Sequence, residues 1–323
     1  MSIKVGIVGG AGYTGGELLR ILIFHPEVEI KFIHSKSNTG NFISDVHTDL
    51  LGDTNLKFSG HLSDDIDVLF LCVGHGDSKK FFEENPVYLK QDKIKIIDLS
   101  QDFRNETNGF IYGLPELKKE SIKKATKIAN PGCFATAIQL SLLPLAGQQL
   151  LKEEIHIAAT TGSTGAGQSL SATSHFSWRN NNLSVYKAFE HQHLKEISQS
   201  FEQLQGNFNT KINFIPYRGS FTRGIMASVY TKTELSLEEA QELYAKYYDF
   251  HPFTHLSKKN IDLKQVVNTN KCLLYLEKHE DNLMILSIID NLTKGASGQA
   301  VQNMNLMFGL NETAGLGLKP VGF

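Results

Sequence analysis

The stretch "IKVGIVGGAGYTGGELLRIL" (residues 3–22) decides the fold. It opens as a short β-rich run, Ile3 to Val8, and passes through a glycine-rich turn. It then takes helical spacing at Leu18, Leu19, Leu22 and Ile23 until His25-Pro26 ends the pattern. Two glycine registers overlap in the turn: Gly10, Gly12 and Gly15 fit GxGxxG, while Gly9, Gly12 and Gly15 fit GxxGxxG. Such a pattern is weak in isolation and gains specificity from its placement between a first strand and a first helix. There, glycines let the backbone approach a pyrophosphate, and the helix N-terminus favours its charge. Gly9, Gly12, Tyr13, Thr14 and Gly15 are therefore the candidate contacts of a dinucleotide cofactor.

Working outward, "VEIKFIHS", "DVLFLCVG" (67–74) and "IKIIDLS" (94–100) are short apolar runs alternating with helical segments. This is the pattern of an α/β domain with a parallel sheet covered on both faces. Beyond Cys133 the character changes. "EIHIAAT", "KINFIP", "GIMASVYTKT", "KCLLYLEK" and "LMILSIID" are strand-like, and His279 to Asn282 suit a hairpin turn. "SLEEAQELYAKYYDF" starts with Ser236 and Glu239 at capping-box spacing and reads as one amphipathic helix. The second domain is accordingly α+β with a mixed or antiparallel sheet. The last helical pattern, "GQAVQNMNLMFGL", is expected to pack back on the first domain. The expected division is 1–132, completed by a C-terminal helix 298–323, and 133–297.

The chain has 323 residues, more than a single core of roughly 100–200 residues usually organises. Its 32 Lys plus Arg against 34 Asp plus Glu leave a formal charge of -2, so there is no broad basic field for nucleic acid or anionic lipid. Any anion must be recognised locally. No apolar run approaches the roughly 18–20 residues that span a bilayer, and no signal peptide is apparent, so a cytoplasmic location is the default expectation. Three cysteines without CxxC spacing argue against a disulfide framework and against a zinc ribbon.

The end of the second strand carries Ser35, Lys36 and Ser37 where an NAD site would carry an acid on the ribose 2'-hydroxyl. A cation between hydroxyls suits a 2'-phosphate, so NADP(H) is the expected cofactor. In "ANPGCFATA" (129–137), Cys133 follows Pro131-Gly132 and opens an apolar helix, whose positive end favours a thiolate, the form that attacks carbonyls. Cys72 and Cys272 lie inside apolar strands and read as small buried hydrophobes. "EHQHLKEI" supplies His191, His193 and Glu196 for acid–base work, with a solvated helix start as the bland alternative. His-x-His is also a metal spacing, but no third ligand lies close in sequence, and no metal is expected. Ser100 and Arg104 in "DLSQDFR", and Arg218 and Arg223 in "PYRGSFTRG", are candidate anion handles, although any one Arg could instead bridge a surface acid.

These residues, with "YGLPEL" and "DNLTKGASGQAVQNMNLMFGLNETAGL", occur in an order that resembles the N-acetyl-gamma-glutamyl-phosphate reductase family of arginine biosynthesis across nearly the whole chain. The resemblance implies a Rossmann dinucleotide-binding domain joined to an α+β catalytic and dimerisation domain of the semialdehyde dehydrogenase type, in a homo-oligomer. It implies reduction of an acyl phosphate by NADPH through a thioester on Cys133, with inorganic phosphate released and His191, His193 and Glu196 handling protons. It also places Gly165, Asn291 and Gln299 at the cofactor and Ser100, Arg104, Gln168 and Arg218 at the substrate. The chain departs from the family at Phe134-Ala135 and at "GSTGAGQS" (162–169), where Gln168 replaces a cation. That departure raises a different N-acyl group, such as succinyl, with Arg179 or Arg218 as partner for its extra carboxylate. Two rival readings are weaker: aspartate-semialdehyde dehydrogenase lacks the YGLPEL and DNLTKGASGQAVQN segments, and a non-catalytic NADP-binding sensor has no use for an activated thiol.

Overall fold

The computed structural model describes residues 2–90 and 93–322; Met1 and Phe323, the outer ends of the expected domains, lie outside the described residues, as do Gln91 and Asp92. The chain divides into two compact units, Met1–Pro131 with Ala296–Gly317, and Gly132–Gly295 with Leu318–Phe323.

The first unit begins with β1 (Ile3–Val8), α1 (Tyr13–Leu22), β2 (Val28–His34), β3 (Val68–Leu71), α2 (Asp77–Glu84), α3 (Val87–Lys90), β4 (Lys95–Asp98), β5 (Ile111–Tyr112), α4 (Pro115–Lys124) and β6 (Lys127–Ala129). The strands form one parallel sheet in the order β2-β1-β3-β4-β6-β5. All four residues of β3 are buried, as the two-sided cover of a parallel sheet requires. β3 and β4 are shorter than the apolar runs 67–74 and 94–100. The runs continue apolar into the loops at the carboxyl end of the sheet, where ladder pairing stops. On one face Phe103 stacks on Phe110 with centroids 4.3 Å apart, and Phe82 meets both edge-on or tilted.

The second unit comprises α5 (Cys133–Gly147), β7 (Ile155–Thr161), α6 (Phe176–Arg179), β8 (Ser184–Val185), α7 (His193–Gln205), β9 (Ile212–Arg218), β10 (Ile225–Lys232), α8 (Leu237–Tyr248), β11 (Thr254–Leu256), β12 (Cys272–His279) and β13 (Asn282–Ile289). Its seven-stranded mixed sheet runs β11-β12-β13-β10-β7-β9-β8. The β12–β13 hairpin pairs His279 with Asn282, so its two turn residues are Glu280, at φ +52°, and Asp281. α8 is capped by the reciprocal Ser236–Glu239 pair. α5 is almost wholly buried and contains Pro144, which cannot donate to Leu140 O. Tyr248 on α8 supplies the missing donor, its hydroxyl lying 2.5 Å from Leu140 O, and the Tyr244 hydroxyl donates to Ser141 O at 2.5 Å. The backbone group that proline orphaned is thus satisfied from a neighbouring helix.

The last helix, α9 (Gly298–Met307), belongs to the first unit. It is fully buried yet carries Asn303 and Asn305, which are tied in: Asn303 Nδ2 donates to Gly113 O (2.8 Å), and Asn305 shares a hydrogen bond with His25 Nε2 (3.0 Å). It does not extend toward the C-terminus as the 298–323 expectation had it. Gly309 adopts φ +66°, a left-handed conformation that stops a helix at little cost to glycine.

Candidate active site

Within the first unit, the glycine turn has the shape its sequence required. Gly9 adopts φ +80°, and a Cβ there would lie 2.4 Å from Cys72 O; a Cβ at Gly15 would lie 2.6 Å from Gly9 O. These two are glycines because protein backbone occupies the space. Gly12 differs, since its Cβ would meet nothing nearer than Gly9 O at 3.7 Å, ordinary contact. It caps the N-terminus of α1 and leaves the first-turn amides approachable, so the residues fit a pyrophosphate. Tyr13 is exposed and Thr14 partly so. At the end of β2, Ser35 is buried and accepts from Asn38 Nδ2 (3.2 Å), while Lys36 and Ser37 are exposed, and no carboxylate stands among these three residues.

Ser100 and Arg104 lie on the same unit. Ser100 is fully buried and donates through Oγ to Asp98 Oδ2 (2.8 Å) and through its amide to Oδ1 (3.0 Å). Burial pushes the Asp98 carboxyl up, against hydrogen bonds from Ser78 and Ser100. Arg104 Nε donates to Asn130 O (2.9 Å), bracing the backbone three residues before Cys133. Gln299 is fully buried in the same unit.

The second unit contains the thiol. Cys133 is the first residue of α5, with Gly132 as N-cap at φ -72°, ψ 151°. It is partly exposed, whereas Cys72 and Cys272 are buried; burial pushes the Cys72 thiol up to about 12. The helix geometry leaves the first-turn amides, from Cys133 onward, without intrahelical carbonyls. The Gly132 amide is held instead by Glu196 Oε2 at 3.1 Å. Glu196 projects from the first turn of α7, so one buried carboxylate pins the start of α5 to α7.

The other oxygen of Glu196, Oε1, lies 3.9 Å from His193 Nε2. His193 in turn packs 4.6 Å from His191, centroid to centroid, and its amide donates to His191 Nδ1 (3.2 Å). The three residues of the EHQHLKEI segment are thus a buried cluster, and the solvated alternative is overturned: apolar and aromatic packing encloses them. His191 meets Phe134, Tyr186 and Phe214 edge-on. Burial, then Lys187 and Arg218, lowers the His191 imidazole to about 4.

Three further features of this unit carry no sequence signal of their own. Tyr186 bridges His191 and Arg218: its ring is 5.8 Å from the imidazole and 4.5 Å from the Arg218 guanidinium carbon. Burial, then the charge of nearby Cys133, pushes its phenol up to about 12. Gly295 lies against the thiol residue, and a Cβ there would stand 2.8 Å from Cys133 Cβ. Gly295 sits in a π-helical turn, Thr293–Ser297, whose fold is set by Asp290: its carboxylate accepts from the amides of Leu292 (2.8 Å) and Thr293 (3.0 Å). Arg223 makes a two-pronged pair with that fully buried Asp290 (2.9 and 3.1 Å), so it bridges a core acid rather than a surface one.

The remaining expected residues are placed as follows. Asn291 is buried and joins Gly224 N (2.7 Å) to Thr164 Oγ1 (3.0 Å). Gly165 and Gln168 are exposed in the following loop. Arg179 is buried and spent on backbone and hydroxyl acceptors, namely Thr173 O, Arg218 O (2.6 Å) and Ser184 Oγ. That use corrects the expectation that Arg179 offers a carboxylate handle. A surface hollow of about 800 Å³ beside Leu170, His175 and Trp178 contains none of the expected site residues. The thiol–imidazole cluster, with its convergent polar groups, is the better candidate for chemistry.

Comparison with known proteins adds the family. Residues 4–125 match the semialdehyde dehydrogenase NAD binding domain, and residues 133–291 match the semialdehyde dehydrogenase dimerisation domain. N-acetyl-gamma-glutamyl-phosphate reductases from Bacteroides fragilis and Bacteroides thetaiotaomicron are each 60% identical over 324 residues, covering 99% of this chain and 100% of theirs. The enzyme of that name from Flavobacterium johnsoniae is 57% identical over 327 residues, with the same coverage. Aspartate semialdehyde dehydrogenase II from Vibrio cholerae superposes with a TM-score of 0.73 at 16% identity, over 95% of this chain and 98% of that one. A probable aspartate-semialdehyde dehydrogenase from Pseudomonas aeruginosa gives 0.74 at 14%, over 95% and 99%. These last two share the fold.

Proposed function

The chain belongs to the N-acetyl-gamma-glutamyl-phosphate reductase family of the semialdehyde dehydrogenases, and from that premise we propose that it reduces N-acetyl-gamma-glutamyl phosphate to N-acetyl-glutamate 5-semialdehyde through a thioester on Cys133. The observation that carries the reading is Cys133 at the open N-terminus of a 15-residue helix, beside a buried His–His–Glu cluster whose carboxylate holds the preceding amide.

The Cys133 thiolate attacks the acyl carbon; the C–S bond forms, the bond to the phosphoryl oxygen breaks, and phosphate leaves with the electron pair. The glycine turn at the head of α1 would hold a nicotinamide dinucleotide, which when bound would supply the hydride that the thioester carbon needs. First-turn amides of α5 stabilise the oxyanion that develops there. Burial and two cations lower the His191 imidazole to about 4, which leaves it a poor proton donor at neutral pH. His193, whose Nε2 has the Glu196 carboxylate alongside, is assigned the proton transfer at that oxygen, as acid in this direction and base in reverse. Collapse returns the hydroxyl proton to the imidazole as the C–S bond breaks, which restores the thiolate and releases the aldehyde.

The cofactor is a nicotinamide dinucleotide. Its 2'-phosphorylated form is favoured by Ser35-Lys36-Ser37 where an NAD site carries an acid. Ser100, Arg104 and Arg218 are proposed on the anionic substrate side. The match to a dimerisation domain supports a homo-oligomer. No helix among the described residues is long and apolar enough to cross a membrane.

Cys133→Ser tests the reading. The variant is expected to bind NADP(H) by fluorescence titration while losing phosphate-dependent oxidation of the semialdehyde. Parental turnover in this variant would end the covalent mechanism.

A further inference from the structure

The glycine turn is held by a side chain that neither the sheet nor α1 supplies. Between β2 and β3 the chain makes an excursion through two short 3-10 turns, Ile43–Asp45 and Thr48–Leu50, and His47 stands between them. Its Nε2 lies 2.8 Å from Gly10 O, across 37 residues of sequence. A carbonyl oxygen only accepts, so Nε2 carries the proton. The same ring packs on the first helix: a Cβ at Gly16 of α1 would stand 2.5 Å from His47 Cε1 and 2.6 Å from Nδ1. Gly16 is therefore kept bare by an imidazole, whereas backbone keeps Gly9 and Gly15 bare.

The bond acts on one peptide unit. The Gly10 amide makes a long contact with His34 O (3.4 Å), an acceptor it shares with the Gly9 amide (3.1 Å). Glycine has more backbone conformations open to it than any other residue, so the peptide between Gly10 and Ala11 turns readily unless it is held. A trans peptide is planar, with its C=O and N–H on opposite sides. With Gly10 O held toward His47, the Ala11 amide faces the other way; were the unit to turn over, a carbonyl oxygen would take the place of that amide. An anion at the head of a helix is drawn by amides and repelled by a carbonyl. The excursion itself is anchored by other means, since Ile43 and Leu50 are buried and Arg20 of α1 reaches Asp49 at 2.9 Å.

We propose that His47 is a positioning residue for the dinucleotide: by holding Gly10 O it keeps the Gly10–Ala11 peptide in the orientation that accepts a pyrophosphate. It governs affinity for the part that NADP(H) and NAD(H) share, and leaves the choice between them to Ser35-Lys36-Ser37. The inference rests on the reading of the glycine turn as the dinucleotide site.

Fluorescence titration of the full chain with NADPH and with NADH, alongside the thermal midpoint of the unliganded protein, tests the clamp. His47→Ala is expected to raise Kd for both cofactors by about tenfold, the size of one lost hydrogen bond, with their ratio kept. KM for NADP should rise by the same factor in phosphate-dependent oxidation of the semialdehyde, while kcat at saturating cofactor holds. His47→Gln, which can bring an N–H to the position of Nε2, should recover most of the affinity, and His47→Leu, which only fills space, should not. Gly16→Ala is an independent variant, because it displaces the ring without altering residue 47. It should raise Kd in the parent and add nothing in the His47→Ala background, where the atoms it would strike are gone. Unchanged Kd in His47→Ala, whatever its midpoint, would overturn the proposal, as would rescue by Leu in place of Gln or equal effects of Gly16→Ala in both backgrounds. A changed NADPH-to-NADH ratio would also overturn it, by moving the effect to the 2'-phosphate. A parent that binds neither cofactor would overturn the dinucleotide reading, and the clamp with it.

Discussion

His191 shows how much one side chain depends on what surrounds it. An imidazole in a histidine-rich segment reads as an acid–base group, yet here it is boxed in by Phe134, Tyr186 and Phe214 and faces Lys187 and Arg218. The charged form is disfavoured first by burial and then by two cations. At neutral pH it is a neutral acceptor for the His193 amide, a positioning role. The linkage to stability has a definite sign. Above about 6.5 the imidazole is neutral both folded and unfolded; below that value the unfolded chain takes up a proton that the folded chain refuses until about 4. Stability present above 6.5 is therefore lost as pH falls toward 4. Thermal unfolding of His191→Phe between pH 7 and pH 4.5 should show a smaller drop in midpoint than the parent. Equal slopes would remove His191 from the acid limb.

At the scale of elements, the thiol is located by what its helix touches. α5 is fixed at its start by Glu196 from α7 and backed by the π-helical turn that Asp290 and Arg223 hold. Single π-type turns are uncommon and often accompany functional sites. This one brings Gly295 so close to Cys133 that only glycine fits: an added Cβ would stand 2.8 Å from Cys133 Cβ and 3.2 Å from Asp290 O. Gly295→Ala is expected to cost about 1–3 kcal/mol of stability by overpacking. It is also expected to lower kcat by on the order of 100-fold, since small misplacements of a reacting atom have effects of that size. Steady-state kinetics with a circular dichroism control checks this, and a folded variant with full kcat would show that the turn does not position the sulfur. The capping box, the hairpin and the glycine turn were legible because each is local, with its cause inside a few residues. Glu196 on the Gly132 amide and Gly295 under Cys133 were not, because 64 and 162 residues of chain separate the partners.

At the scale of the whole molecule, the match to a dimerisation domain has a visible counterpart. Leu170, Phe176, Leu183 and Phe189 are each more than half exposed in the stretch 170–189 of the second unit, and the single tryptophan, Trp178, lies in the same stretch. Large apolar side chains exposed in one segment are characteristic of surfaces that a partner covers, and a second copy of the chain is the occupant a dimerisation domain implies. Phe176→Asp with Leu183→Asp should shift the solution mass measured by light scattering toward that of a single chain, with a red shift of Trp178 emission. An unaltered mass would locate the subunit contact elsewhere.

By itself, the sequence determined the class of fold, the glycine turn at the head of α1, the cysteine at the head of α5 and the histidine-rich segment before α7. Each is written in residues near one another, where periodicity, caps and turn chemistry act through short-range forces. Tertiary structure alone decided which imidazole stays neutral, which arginines are consumed by internal partners, and why residue 295 has no side chain. Those outcomes depend on burial and on charges brought together from distant parts of the chain. Desolvation and Coulomb terms are set by distance in space, and distance along the sequence carries little information about that.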